Sequence, residues 1–132
     1  MRSSASRAPR VHVDVVDVQP AGDLWRTRWL VGNDGCGDLA FTRAHAPHGR
    51  YRAEPRALDL DLAPDQASAI ELDVRVDLAG GEIENAFLIL TLGSGGTEWR
   101  ILARLRVRMD AGVPLPFVER IDVQEVGFSG SG

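Results

Sequence analysis

Apolar and polar residues alternate with a period of two along most of the chain. Over residues 99–109, Trp99, Ile101, Ala103, Leu105, Val107 and Met109 fall on one side of an extended segment. Arg100, Arg104, Arg106 and Arg108 fall on the other, with Leu102 the one exception. Successive side chains of a strand point to opposite faces, so this segment reads as a long, half-buried strand; on a helix the same arginines would scatter around the circumference.

The pattern repeats upstream. Ile70, Leu72, Val74 and Val76 alternate with Glu71, Asp73, Arg75 and Asp77, and Leu58, Leu60 and Leu62 alternate with Asp59 and Asp61. Trp25, Thr27, Trp29 and Val31 alternate with Arg26 and Arg28. Val11, Val13 and Val15 alternate with His12 and Asp14 until the phase slips at Val15-Val16, as a β-bulge would make it. Ile121 and Val123, extending to Val126–Phe128, suggest a last strand. Gly32-Asn33-Asp34-Gly35, Ala63-Pro64-Asp65, Ala79-Gly80-Gly81 and Gly93-Ser94-Gly95-Gly96 each separate two apolar runs, as turns do. Seven or eight short strands with turn signals at this spacing predict an all-β sandwich or small barrel, and no segment predicts a helix of more than a turn or two.

Residues 83–92 depart from the alternation, because Ala86 to Leu90 is apolar on both faces. A strand of this kind is covered on both sides or leaves one apolar side outward. With Phe87 and Ile89 in the core, Leu88 and Leu90 face out; the opposite phase exposes Phe87 and Ile89. If 83–92 and 99–109 form a hairpin across the glycine turn, Leu88, Leu90 and Leu102 make one outward patch edged by Arg100 and Arg104. Leu30, on the opposite face from Trp29, is a further candidate. Such a patch is expected to bind a protein partner or a second copy, unless Val113 to Phe128 folds back over it. Pro114 and Pro116 are expected to separate the long strand from the last one.

A length of 132 residues is that of one domain. The strands place it at residues 11–128, after a leader at 1–10 expected to be disordered and before a flexible tail at 129–132. Hydrophobic residues at 44% and charged residues at 26% suit a globular core rather than a disordered chain. A net charge of -4 argues against nucleic acid as a partner. All 15 cationic residues are arginine, which fits a GC-rich coding sequence as well as a preference for bidentate pairing. The single cysteine, Cys36, excludes an internal disulfide. No apolar run is long enough for a signal-peptide core or a membrane span, so the expected location is cytoplasmic, with no membrane partner.

Nothing predicts catalysis or a cofactor. There is no Gly-x-Ser-x-Gly elbow, and the Gly93–Gly96 turn cannot act as a phosphate loop in a chain without lysine. The carboxylates alternate along strand surfaces. Residues 36–52 are the most suggestive segment, read as a loop. Cys36, His45 and His48 are a partial ligand set for zinc or copper. Arg43, His45, His48, Arg50, Tyr51 and Arg52 gather positive charge and donors that would suit an anionic ligand.

The run Trp29-Leu-Val-Gly-Asn33-Asp-Gly35, followed by a polar stretch and then Leu58-Asp-Leu-Asp-Leu-Ala-Pro64, resembles bacterial immunoglobulin-like modules of the CARDB kind. The resemblance covers roughly residues 11–109. It implies a two-layer antiparallel sandwich and, weakly, a role as an adhesion, scaffold or accessory domain, although a fold by itself assigns no function.

Overall fold

The computed structural model describes residues 8–78 and 80–126. They form eight strands and no helix: β1 (Val11–Ala21), β2 (Leu24–Asn33), β3 (Leu39–His48), β4 (Tyr51–Leu62), β5 (Ala67–Val76), β6 (Glu82–Ser94), β7 (Thr97–Asp110) and β8 (Val113–Glu125). The strands follow the order β1-β2-β5-β4-β3-β6-β7-β8 with every neighbouring pair antiparallel. β8 comes back to lie against β1, so the sheet is a nearly closed barrel. Residues 1–7 of the leader expected at 1–10, the tail at 129–132 and the end of the last expected strand at 127–128 lie outside the described residues.

Alternation sets the inside. Trp99, Ile101, Ala103, Leu105 and Val107 of β7 are buried, as are Ile70, Leu72 and Val74 of β5 and Thr27, Trp29 and Val31 of β2. Met109 keeps the inward phase but sits at the end of its strand and is exposed. The slip at Val15-Val16 is a bulge: the register against β2 shifts between Val15 and Asp17, and Val16 is left outside.

β6 settles the phase of the two-sided apolar segment. Ala86, Leu88, Leu90 and Leu92 are fully buried, so Leu88 and Leu90 belong to the core and not to an outer patch. The cause lies in the hairpin register, which sets Leu88 against Ala103 and Leu90 against Ile101, both inward residues. Phe87 and Ile89 are therefore the outward pair.

Pro114 and Pro116 do not separate strands. The chain turns earlier, at Ala111 and Gly112, which both take positive φ (53° and 82°), and the two prolines lie inside β8. They are buried opposite Met109 and Val107. A proline is tolerated in a ladder only where its missing N–H would face away from the partner strand. Both nitrogens therefore point to the seam with β1, where the sheet stays open. β8 extends the sheet edgewise from β7 and does not fold back over its face.

Strand directions place the two described chain ends at one pole. Arg10 accepts a hydrogen bond from Asp34 N–H (2.7 Å), and Val126 N–H donates to the Glu98 carbonyl (2.9 Å). The Gly95-Gly96 hairpin turn, with φ of 61° and 83°, is at the same pole. Asn33 organises this end. Its buried side chain donates to the carbonyls of Gly37 (2.8 Å) and Leu62 (3.0 Å) and accepts from Gly35 N–H (3.0 Å). Its backbone bonds Gln66 and Asp65, each at 2.9 Å, so one residue ties the loop after β2 to the turn after β4.

Candidate functional site

The segment expected to be a binding loop is mostly a hairpin. Residues 39–48 and 51–62 are β3 and β4, and alternation sends their side chains to opposite faces. Tyr51 is in the core; burial raises its phenol well above the ordinary value, and the Thr27 hydroxyl offsets this only in part. Arg52 pairs with Glu54 (2.9 Å), Arg50 Nε donates to the Asp77 carbonyl (3.1 Å), and His48 Nδ1 accepts from Arg50 N–H (3.0 Å). These three contacts lie at the hairpin end, and of the six residues expected to suit an anion only Tyr51 is buried.

The three metal candidates are also apart. Cys36 precedes β3 and His48 ends it, and a ten-residue strand separates them by roughly 30 Å at about 3.3 Å per residue. Among the described residues, no three or more His, Cys, Asp or Glu are grouped to hold a metal ion.

Arg43 and His45 instead join the outer face of the central strands. Cross-strand register sets out three rows. Arg43, Thr91, Arg100 and Gln124 form the first; His45, Ile89, Leu102 and Asp122 the second; Phe87, Arg104 and Arg120 the third. Directly opposed residues have Cβ atoms roughly 5 Å apart, so each row is continuous. Partly exposed Phe87, Ile89 and Leu102 lie at the centre, with Arg43, Arg100 and Arg104 around them. Leu30 is elsewhere: it lies between Asp14 of β1 and Ala69 of β5, on the outside of the other half of the barrel.

Charge on this face is unevenly satisfied. Arg106 is held between Glu119 (2.7 Å) and Glu82 (2.8 Å), Arg108 pairs with Glu82 (3.3 Å) and stacks over the Phe117 ring (5.0 Å), and Arg120 pairs with Asp122 (3.0 Å). The hydrogen bonds to Glu119 and Glu82 push the Arg106 pKa further up. Arg43 and Arg100 take part in none of the ion pairs among the described residues. The buried Nε of Arg104 and Nδ1 of His45 have no hydrogen-bond partner there. Burial, then the charges of Arg43 and Arg100, lower the His45 pKa below 6.5, so this imidazole is mainly neutral at pH 7.

Two clefts occupy the pole of the chain ends. The larger, about 820 Å³, lies between the Gly93–Glu98 hairpin and the turn after β4, with Asp38, Asp61 and Glu98 on its walls. The other, about 650 Å³, runs beside the Cys36 loop. No helix among the described residues is long and apolar enough to cross a membrane.

Sequence alone left the phase of Phe87 and Ile89 open and assigned Arg43 and His45 to a loop. The signal that places them is the alternation in 39–46, where Leu39, Phe41, Ala44 and Ala46 are inward across a bulge. Comparison with protein-family models, with curated proteins and with solved structures finds no match.

Proposed function

We propose that this chain is a non-enzymatic interaction module of immunoglobulin-like, two-layer construction. Its working surface is the outer face of β3, β6 and β7. The layering rests on the join between β4 and β5, which pair only at Tyr51↔Val76 and Arg52↔Arg75. On either side of that join lie the sets β1-β2-β5 and β4-β3-β6-β7-β8.

One observation carries the functional reading. Phe87, Ile89 and Leu102 are aligned on one face beside two arginines, Arg43 and Arg100, that have no acidic partner among the described residues. Apolar centres with arginine around them suit an interface. The buried Arg104 Nε, 3.9 Å from Glu119, and His45 Nδ1, both without a hydrogen-bond partner among the described residues, favour a contact that supplies acceptors. The complementary partner is a protein surface with carboxylates around apolar side chains. With the neighbouring residues of β8, the three rows span four strands and about 17 Å along them, a face of roughly 300 Å², the size of a weak, reversible contact and not of an obligate one.

The test compares the wild-type chain with Leu102→Asp and with Arg43→Glu/Arg100→Glu. Light scattering across a hundredfold concentration range reads self-association, and affinity capture from the native host reads other partners. Proteins retained by the wild type and released by both variants support the reading, and so does a wild-type dimer that both variants disperse. An identical captured set and an unchanged molar mass would sink it.

A further inference from the structure

The β4–β5 join leaves two strand edges open. β2 and β5 stay in register from Trp25↔Val74 to Gly32↔Ala67, whereas the β4–β5 ladder stops after Arg52↔Arg75. Beyond it, the facing edges of β5 before Val74 and of β4 after Arg52 have no ladder partner among the described residues.

Two hydrogen bonds give the direction of the open main-chain groups on β5. Arg56 Nη1 crosses the gap to the Glu71 carbonyl (2.9 Å), and Asp77 N–H bonds the Arg50 carbonyl (2.9 Å). In an antiparallel strand, the N–H and C=O of one residue point to the same side, and alternate residues share that side. Ala69, Glu71 and Asp73 therefore direct main-chain donors and acceptors into the gap. The gap itself is a cleft of about 450 Å³, with Leu58, Leu60 and Ile70 among its apolar lining and Asp59 and Glu71 among its polar lining.

We infer that this cleft is a strand-addition site that takes one extended peptide segment of a partner protein, antiparallel to β5. Leu58, Leu60 and Ile70 require apolar residues on the inner side of the segment. The outward neighbours Asp59 and Glu71, which take part in none of the ion pairs among the described residues, favour lysine or arginine on the other, whereas Asp73 is already paired with Arg26 (3.1 Å). Arg28 also lines the cleft, and Arg56 now places a cation of the chain's own against the edge. A second copy is the wrong occupant. Pairing β5 with its own counterpart would set Glu71 and Asp73 against the same carboxylates, and like charges directly opposed destabilise a ladder. The site is an edge and does not depend on the outer-face reading above.

The experiment uses the full chain and a ten-residue synthetic peptide alternating valine with lysine, followed by fluorescence anisotropy. The valines face inward, so the lysine residues lie opposite Glu71 and their amides hydrogen-bond to β5. N-methylation of the lysine amides is expected to weaken binding at least tenfold, and the same change at the valine amides to weaken it less. Glu71→Lys, a change at an exposed side chain, is expected to weaken the unmethylated peptide by a similar factor. No binding at millimolar peptide would overturn the inference, and so would equal binding by both methylated peptides.

Discussion

Replacing Asn33 by alanine tests how far one side chain holds the pole of the barrel together. The change removes three hydrogen bonds of 2.8, 3.0 and 3.0 Å, to the carbonyls of Gly37 and Leu62 and from Gly35 N–H. A hydrogen bond contributes about 1 kcal/mol net, and a buried group left without one costs about 1–3 kcal/mol. Gly37 is exposed and Gly35 partly so, and both can turn to water; the bond to Leu62 is buried and its carbonyl cannot. The expected loss is therefore about 2–4 kcal/mol. Equilibrium unfolding in urea reads it as a midpoint lowered by roughly 1–2 M at an unchanged slope, for a slope of about 2 kcal/mol/M. Asn33→Asp sharpens the test, because it sets an oxygen against two carbonyl oxygens and buries a charge. It should cost more than alanine at pH 7. An alanine variant within about 0.5 kcal/mol of wild type, well under the net contribution of one hydrogen bond, would refute the account. So would an aspartate variant as stable as asparagine.

Two further outcomes follow from burial. Leu88→Ala should cost about 3–5 kcal/mol in the same unfolding assay, the range for a fully buried leucine, and a cost below about 1 kcal/mol would return Leu88 to the outer face. The His45 pKa is lowered in the folded chain, so around and below pH 6.5 the unfolded chain binds more protons. Acidification through that range removes stability, and His45→Gln should flatten this part of the pH profile; NMR titration placing His45 at or above 6.5 would contradict the assignment.

The alternation of β2, β5 and β7 was legible because each has a single buried face, and a one-residue slip would turn every side chain over. The four glycine-, asparagine- or aspartate-bearing turns were legible for a similar reason, since their residues suit tight turns. β6 was not, because Ala86 to Leu90 is apolar on both sides and only the pairing with Ala103 and Ile101 chooses the inner one. β3 was obscured by bulges at Phe41/Arg43 and Ala44/Ala46, which break the period and let Arg43 to Arg52 pass for a loop. Pro114 and Pro116 read as breakers because sequence carries no sign of which edge of a strand is free. The outer face needed all three of these facts, so Leu102, Arg100 and Arg104 were placed on it beforehand, and Phe87 and Ile89 only as one of two possible phases.

That Arg10 and Val126 leave the barrel at the same pole has a consequence for tethering. Arg10 and Val126, at the described ends, both lie beside the Gly95 turn and its two clefts. The four turns at the opposite pole project away from those attachments, and the flank of β3, β6 and β7 runs between the poles. In a longer chain the unit would hang like a pendant, able to swing about one point of attachment. The same closeness of ends makes the barrel a candidate for circular permutation, with the ends joined by a short linker and new ones opened at Ala111-Gly112.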